Sequence, residues 1–202
     1  MLKFNQFVLA LAFIGGSAVA QASEGSSTFG GVTYGSTSDK ISKSNNLNRN
    51  MGNPNADGII GKDRTWGVRL GQQTLENRYY ATYENVSGSH NGLKLRQENL
   101  LGSYDLFMPI TASTKLFGGG TLGMTKLTQE SSGSSRDTGV GYVAGVQAGV
   151  LQQVAQNVSV ELGYRYLRSN ASTEVSPHGA SKTGSLKLDS SAQTYLAANY
   201  SF

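Results

Sequence analysis

Residues 186–202 read LKLDSSAQTYLAANYSF. Alternate positions sort into two sets. Leu186, Leu188, Ser190, Ala192, Thr194, Leu196, Ala198, Tyr200 and Phe202 form one, and Lys187, Asp189, Ser191, Gln193, Tyr195, Ala197, Asn199 and Ser201 the other. Both charges fall in the second set. A period of two belongs to an extended strand whose side chains alternate between two environments. The pattern predicts a strand running without a slip up to Phe202.

The same period recurs upstream. Val32 and Tyr34 mark a strand over Ser27 to Ser36, and an Asn-rich stretch, Thr37 to Arg64, reads as a long loop. Trp66, Val68 and Leu70 then oppose Thr65, Gly67, Arg69 and Gly71, with a turn at Thr74 to Asn77. Tyr79, Ala81 and Tyr83 oppose Tyr80, Thr82 and Glu84, and Ser87 to Gly92 closes that hairpin. In Leu93 to Leu106 the adjacent Leu100 and Leu101 break the alternation, so a bulge or an apolar stretch of interior is implied and the facing stays open. Pro109 marks a turn before the strand Lys115 to Leu127, and Thr128 to Asp137 reads as a loop. Val140 to Val150 and Val158 to Tyr166 form two more alternating strands around a turn at Gln153 to Asn157, and Ser169 to Ser185 is a last loop. About eight strands result, with long and short connections alternating. This predicts an all-β fold: a closed antiparallel eight-stranded up-and-down barrel crossing a membrane, long loops at one end and short turns at the other.

Composition agrees. Residues 1–22 carry Lys3, an apolar run from Phe7 to Ile14, and Ala18, Ala20 and Ala22, which predicts a cleavable signal peptide and leaves 23–202 as one barrel domain. The apolar run is shorter than the ~20 residues of a membrane-spanning helix. Charged residues are 15% of the chain, against ~25% in soluble domains. The mean hydropathy of -0.30 argues against a helical membrane protein but suits a barrel, where only alternate residues meet lipid. The absence of Cys excludes thiolate metal sites and Cys nucleophiles. The 26 Gly suit a crowded interior, and the 10 Tyr suit a membrane boundary.

With Leu196, Ala198, Tyr200 and Phe202 in phase at its end, and a signal peptide at its start, the chain resembles the small eight-stranded Gram-negative outer-membrane barrels. That family includes the OmpA transmembrane domain and OmpX-type and opacity-type proteins, with a porin-like β-barrel domain. The resemblance implies that those four residues are the insertion signal read by the barrel-assembly machinery and that the protein resides in the outer membrane. If the first strand runs outward, the girdle aromatics Tyr34, Trp66, Tyr142, Tyr164 and Tyr166 fall toward the outer lipid boundary and Tyr200, with Tyr79, Tyr104 and Phe202, toward the inner one. A soluble periplasmic barrel, with the apolar face turned inward around a ligand, is the rival architecture.

Glu161 and Arg165 lie four residues apart on one strand, ~13 Å, too far to pair. Each needs partners from other strands, so a polar network in the lumen is expected from Arg69, Glu84, Glu161, Arg165, Lys187 and Asp189, with Glu98 a further candidate. Such a network fills a barrel too narrow to hold more than its own side chains. Gly118, Gly120 and Gly123 fit G-x-G-x-x-G, but a strand rather than a helix follows, so a dinucleotide site is not expected. His90 and His178 are assigned to external loops, and PHGAS lacks the His-x-Ser arrangement of a lipid A deacylase. Lys40, Lys43, Arg49, Lys62, Arg64, Arg136, Arg168 and Lys182 outline a mildly basic outer rim facing lipopolysaccharide phosphates. The reading is a non-enzymatic monomer without cofactor or metal, displaying loops for adhesion, lipopolysaccharide or host contact, and not binding nucleic acid. A narrow porin and a lipid A-modifying enzyme are the alternatives.

Overall fold

The computed structural model describes residues 25–43, 59–90, 93–131, 137–175 and 184–202. Its strands are β1 (Ser27–Lys43), β2 (Ile59–Gln73), β3 (Asn77–His90), β4 (Leu93–Pro109), β5 (Thr114–Ser131), β6 (Asp137–Ala155), β7 (Val158–Ser169), β8 (Ser172–Val175) and β9 (Gly184–Ser201). From β1 to β7 each strand pairs antiparallel with the next, β7 pairs with β9, and β1 pairs with β9, closing the sheet. The four-residue β8 pairs only with the far end of β9, so the barrel has eight full staves. Closure leaves no unpaired edge around the belt, the condition for a sheet to exist in hydrocarbon.

Alternation decides which face meets what. Val32, Trp66, Val68, Leu122, Tyr142, Val146, Leu162 and Leu196 point outward and are exposed, whereas Arg69, Arg78, Glu84, Asp105, Glu161 and Arg165 are buried inside. The apolar face is therefore the outer one, the reverse of a soluble ligand-binding barrel. Inward glycines keep the interior narrow. A Cβ on Gly163 would lie 2.3 Å from the Tyr195 ring, and one on Gly149 would lie 2.5 Å from Phe117.

Short turns join β2 to β3, β4 to β5 and β6 to β7. In the first, the Thr74 hydroxyl accepts from the Glu76 and Asn77 amides. At the same end the Phe202 amide donates to Thr28 O at 2.9 Å, and the Asn157 side chain donates to Ser201 O at 2.7 Å, tying the terminal strand to its neighbours.

Several expectations need correction. The first loop is shorter than Thr37 to Arg64, because β1 runs to Lys43 and β2 starts at Ile59. Likewise β3 reaches His90, β5 reaches Ser131 and β9 begins at Gly184. Beyond the apolar belt both faces of a strand meet polar surroundings, so the period of two fades although backbone pairing continues. His90 consequently ends a strand instead of lying in a loop; His178 lies outside the described residues. The pairing of β4 with β3 and β5 is unbroken, so it holds no bulge. Leu100 faces out and Leu101 faces in, packed with Val143 and Leu167 toward the long-loop end of the interior. In β9 a register shift does occur: Lys40 pairs with Ser190 but Ile41 pairs with Leu188, leaving Asp189 as the extra residue. The shift reverses the phase, and Leu188, expected on the outer face, is buried against Leu127 and Ala171.

Candidate functional site

The interior is organised by Glu161. It emerges from β7 between the apolar outward residues Val160 and Leu162, which forces its carboxylate inward. There it accepts from two guanidiniums. Arg69 of β2 donates from Nη1 at 3.1 Å and Nη2 at 2.5 Å. Arg78 of β3 donates from Nη1 at 2.7 Å and Nη2 at 3.0 Å. The Tyr195 hydroxyl of β9 adds a fifth bond at 3.1 Å. Forked bidentate pairing of this kind fixes direction as well as distance.

From Glu161 the network runs on without a gap. Arg69 Nε donates to Asn199 at 2.8 Å, and Arg78 Nε donates to Asp105 Oδ2 at 2.7 Å. Gln147 Nε2 donates to Asp105 Oδ1 at 2.6 Å and to the Tyr80 hydroxyl at 2.7 Å, while Gln147 Oε1 accepts from Arg165 Nε at 2.7 Å. Arg165 Nη1 then reaches Glu84 at 2.6 Å. Three guanidiniums and three carboxylates cancel, so the barrel encloses no net charge at this level. Aromatic rings fill the gaps: the Arg78 guanidinium lies 4.7 Å from the Phe117 ring centre and 4.9 Å from that of Tyr80, and Arg165 lies 5.2 Å from Tyr195. The arrangement is a plug whose side chains occupy one another's hydrogen-bonding sites.

Of the six side chains expected in the lumen, Arg69, Glu84, Glu161 and Arg165 lie in this cluster. Asp189 sits at the β9 bulge, four residues from Gln193 toward the long-loop end, and the Lys187 side chain lies outside the described residues. Glu98 faces outward. Arg78 and Asp105 were missed by the sequence reading. Arg78 shares the parity of Tyr80, Thr82 and Glu84 and was legible on that basis, but it adjoins a turn. Asp105 sits on the strand whose facing the sequence left open.

The G-x-G-x-x-G glycines all lie within β5. The six girdle aromatics face outward, from 36% exposed at Tyr166 to 70% at Tyr142, and Tyr34 stands directly opposite Trp66. Leu196, Ala198 and Tyr200 share that outer face, with Phe202 5.7 Å from Tyr200 between ring centres. Among the described residues no group of three or more His, Asp or Glu side chains is placed to hold a metal ion.

Comparison with solved structures assigns the architecture. The chain is 59% identical to outer membrane protein H (OprH) from P. aeruginosa, over 87% of this chain and 99% of that one, with a TM-score of 0.57. The chain belongs to the OprH family of outer-membrane barrels. Neisserial surface protein A is similar at 14% identity, over 90% of this chain and 100% of that one, with a TM-score of 0.63. OprG from Pseudomonas aeruginosa is similar at 13% identity, over 88% and 96%, with a TM-score of 0.52; these two share the fold. No protein-family model and no curated protein matches the chain.

As an OprH-family barrel the protein resides in the Gram-negative outer membrane, with the short turns periplasmic and the long connections outside. That orientation gives meaning to a set of outward-facing charges at the external end of the belt. Arg64 on β2 and Arg96 on β4 both stand opposite Ser87 of β3, one on each side. Lys126 on β5 stands opposite Glu98, which accepts from Tyr83 at 2.9 Å and from Arg96 at 3.3 Å and lies 3.6 Å from the Lys126 ammonium. Trp66 packs edge-on against Tyr83 directly below. On the other flank Lys40 and Arg168 stand opposite Ser190, again one on each side. Of the expected basic rim, Lys40, Arg64 and Arg168 are thus placed. Lys43 and Lys62 have side chains outside the described residues, as have Arg49, Arg136 and Lys182 altogether.

Proposed function

We propose that this barrel is a non-enzymatic surface protein that holds lipopolysaccharide around its external rim and so contributes to envelope integrity. One observation carries the reading: Arg64, Arg96 and Lys126 project outward immediately beyond the aromatic pair Trp66 and Tyr83, at the level where lipid phosphates meet the end of the apolar belt. The Arg96 and Lys126 side chains are 55% and 38% exposed, open to such a phosphate. Charge-assisted hydrogen bonds supply the attraction, and Glu98 keeps the two cations from splaying apart.

The plug opposes a narrow porin, since its buried guanidiniums and carboxylates are bonded to one another across the lumen. No described cluster favours a lipid A-modifying enzyme. The signal peptide, the reading of Leu196, Ala198, Tyr200 and Phe202 by the assembly machinery, and a monomeric state belong to the same proposal. Adhesion or host contact would use the external connections, most of which lie outside the described residues.

The test is binding of bisphosphorylated lipid A to the purified protein in detergent micelles across a salt series. Arg64→Gln, Arg96→Gln and Lys126→Gln together should weaken it about tenfold or more, the equivalent of at least ~1.4 kcal/mol, and flatten its salt dependence. Unchanged affinity and salt response would refute the reading.

A further inference from the structure

A second feature of the outer surface spans β5, β6 and β7, with Lys126 two residues beyond its Met124 on β5. Ala144 of β6 stands between Leu122 of β5 and Arg168 of β7, directly opposite each. Its neighbours on the same face are large: Leu122 and Tyr142 are both 70% exposed. A methyl group among such side chains leaves a depression, and the surface there forms a groove of about 660 Å³ with Ala144 on its floor and Leu122, Met124 and Tyr142 among its walls. One end is polar. Arg168 and Asn170 close it toward the external side, where the Asn170 amide donates to Tyr142 O at 3.2 Å and its Oδ1 accepts from the Tyr142 amide at 2.7 Å. That pair of bonds fixes the rim where β7 stops.

Arg168 is not an isolated charge. Lys40 of β1 stands opposite the same residue of β9, Ser190, that Arg168 stands opposite. With Ser190 between them, Lys40 and Arg168 lie two strand spacings apart, ~10 Å. The groove therefore runs from an apolar slot within the belt up to Arg168 at its external end, with Lys40 across Ser190 from it. An apolar chain joined to an anionic head has that polarity. A second barrel copy would bring its own apolar belt to the slot but no phosphate to Arg168.

We propose that the groove over Ala144 is a specific site for one acyl chain of an outer-leaflet lipid whose phosphate is held by Arg168 and Lys40. The site rests on the lipopolysaccharide reading above but uses different residues and a different contact, chain as well as phosphate. Its occupant is selected by the joint presence of both parts. Neither a bare phosphate nor an uncharged lipid fills both ends.

The experiment follows backbone amide shifts of the full barrel in detergent micelles during titration with hexa-acylated bisphosphorylated lipid A, and with the fully deacylated bisphosphorylated disaccharide. Gly123, Val143 and Ala144 should respond to the acylated probe and not to the deacylated one. Ala144→Phe fills the slot from the lipid side, without entering the interior. It should abolish those responses and weaken acylated lipid A about tenfold while leaving the deacylated disaccharide unaffected. Arg168→Gln, which alters no packed residue, should weaken both probes. Binding of lipid A that moves only the Arg64, Arg96 and Lys126 region overturns the groove and leaves the proposed function standing. No lipid A binding at all overturns both. Shifts at Val143 and Ala144 that depend on protein concentration without lipid overturn the proposal in favour of a second copy.

Discussion

Replacing Glu161 by Ala removes the carboxylate on which two guanidiniums converge. Arg69 would keep only its bond to Asn199, Arg78 only its bond to Asp105, and the Tyr195 hydroxyl would lose its acceptor. The plug would hold three buried guanidiniums against two carboxylates. Breaking one partner out of a buried ionic cluster costs about 3–5 kcal/mol, because the remaining charge stays desolvated, and two orphaned partners place this case at the upper end. Glu161→Gln keeps the shape and one acceptor oxygen, so about 2 kcal/mol is expected, the scale of a hydrogen bond to a charged group. Urea unfolding in lipid vesicles reads the difference through the single tryptophan, Trp66, which sits half-exposed on the outer face. The order wild type, then Gln, then Ala is required. A Glu161→Ala barrel within ~1 kcal/mol of wild type would show that the cluster is filled by water or rearranges freely, and would refute the account of the plug as a closed network.

Three further outcomes are expected. In planar bilayers the wild-type barrel should show no resolvable conductance, while Arg78→Ala with Arg165→Ala should open a water path; comparable currents from both would restore the porin reading. Gly163→Ala should destabilise the barrel by about 1–3 kcal/mol, because the added methyl meets a Tyr195 ring held in place by Glu161. Gly120→Ala, whose methyl would approach nothing closer than 3.9 Å, should stay within about 0.5 kcal/mol, and equal effects at both sites would sink the steric argument. Deleting Phe202 removes its amide bond to Thr28 and its packing on Tyr200. The fraction of protein showing a heat-dependent gel shift in outer-membrane preparations should fall, and an unchanged fraction would count against a role for that terminus in assembly.

Much of this fold is written in one-dimensional pattern. Within the belt, lipid and the packed interior impose opposite demands on successive residues, so Trp66, Val68 and Leu70 against Arg69, or Leu162 and Tyr164 against Glu161 and Arg165, reveal both the strand and its facing. The strand number, the closed architecture and the membrane class follow from repetition of that contrast. Where the contrast vanishes the pattern is silent, and only the tertiary structure decided the outcome. The strand extensions beyond Ser36 and before Thr65 carry no sustained alternation, so backbone pairing alone defines them. The phase of β4 depended on Leu101 finding Val143 and Leu167 across the lumen, and the β9 bulge at Asp189 depended on the register imposed by β1. The partners of Glu161 were settled in the same way. A strand states which side chains point inward; the shear of a closed barrel decides which of them arrive at the same height. Arg78 and Asp105 therefore joined Arg69, Glu84, Glu161 and Arg165 in one cluster.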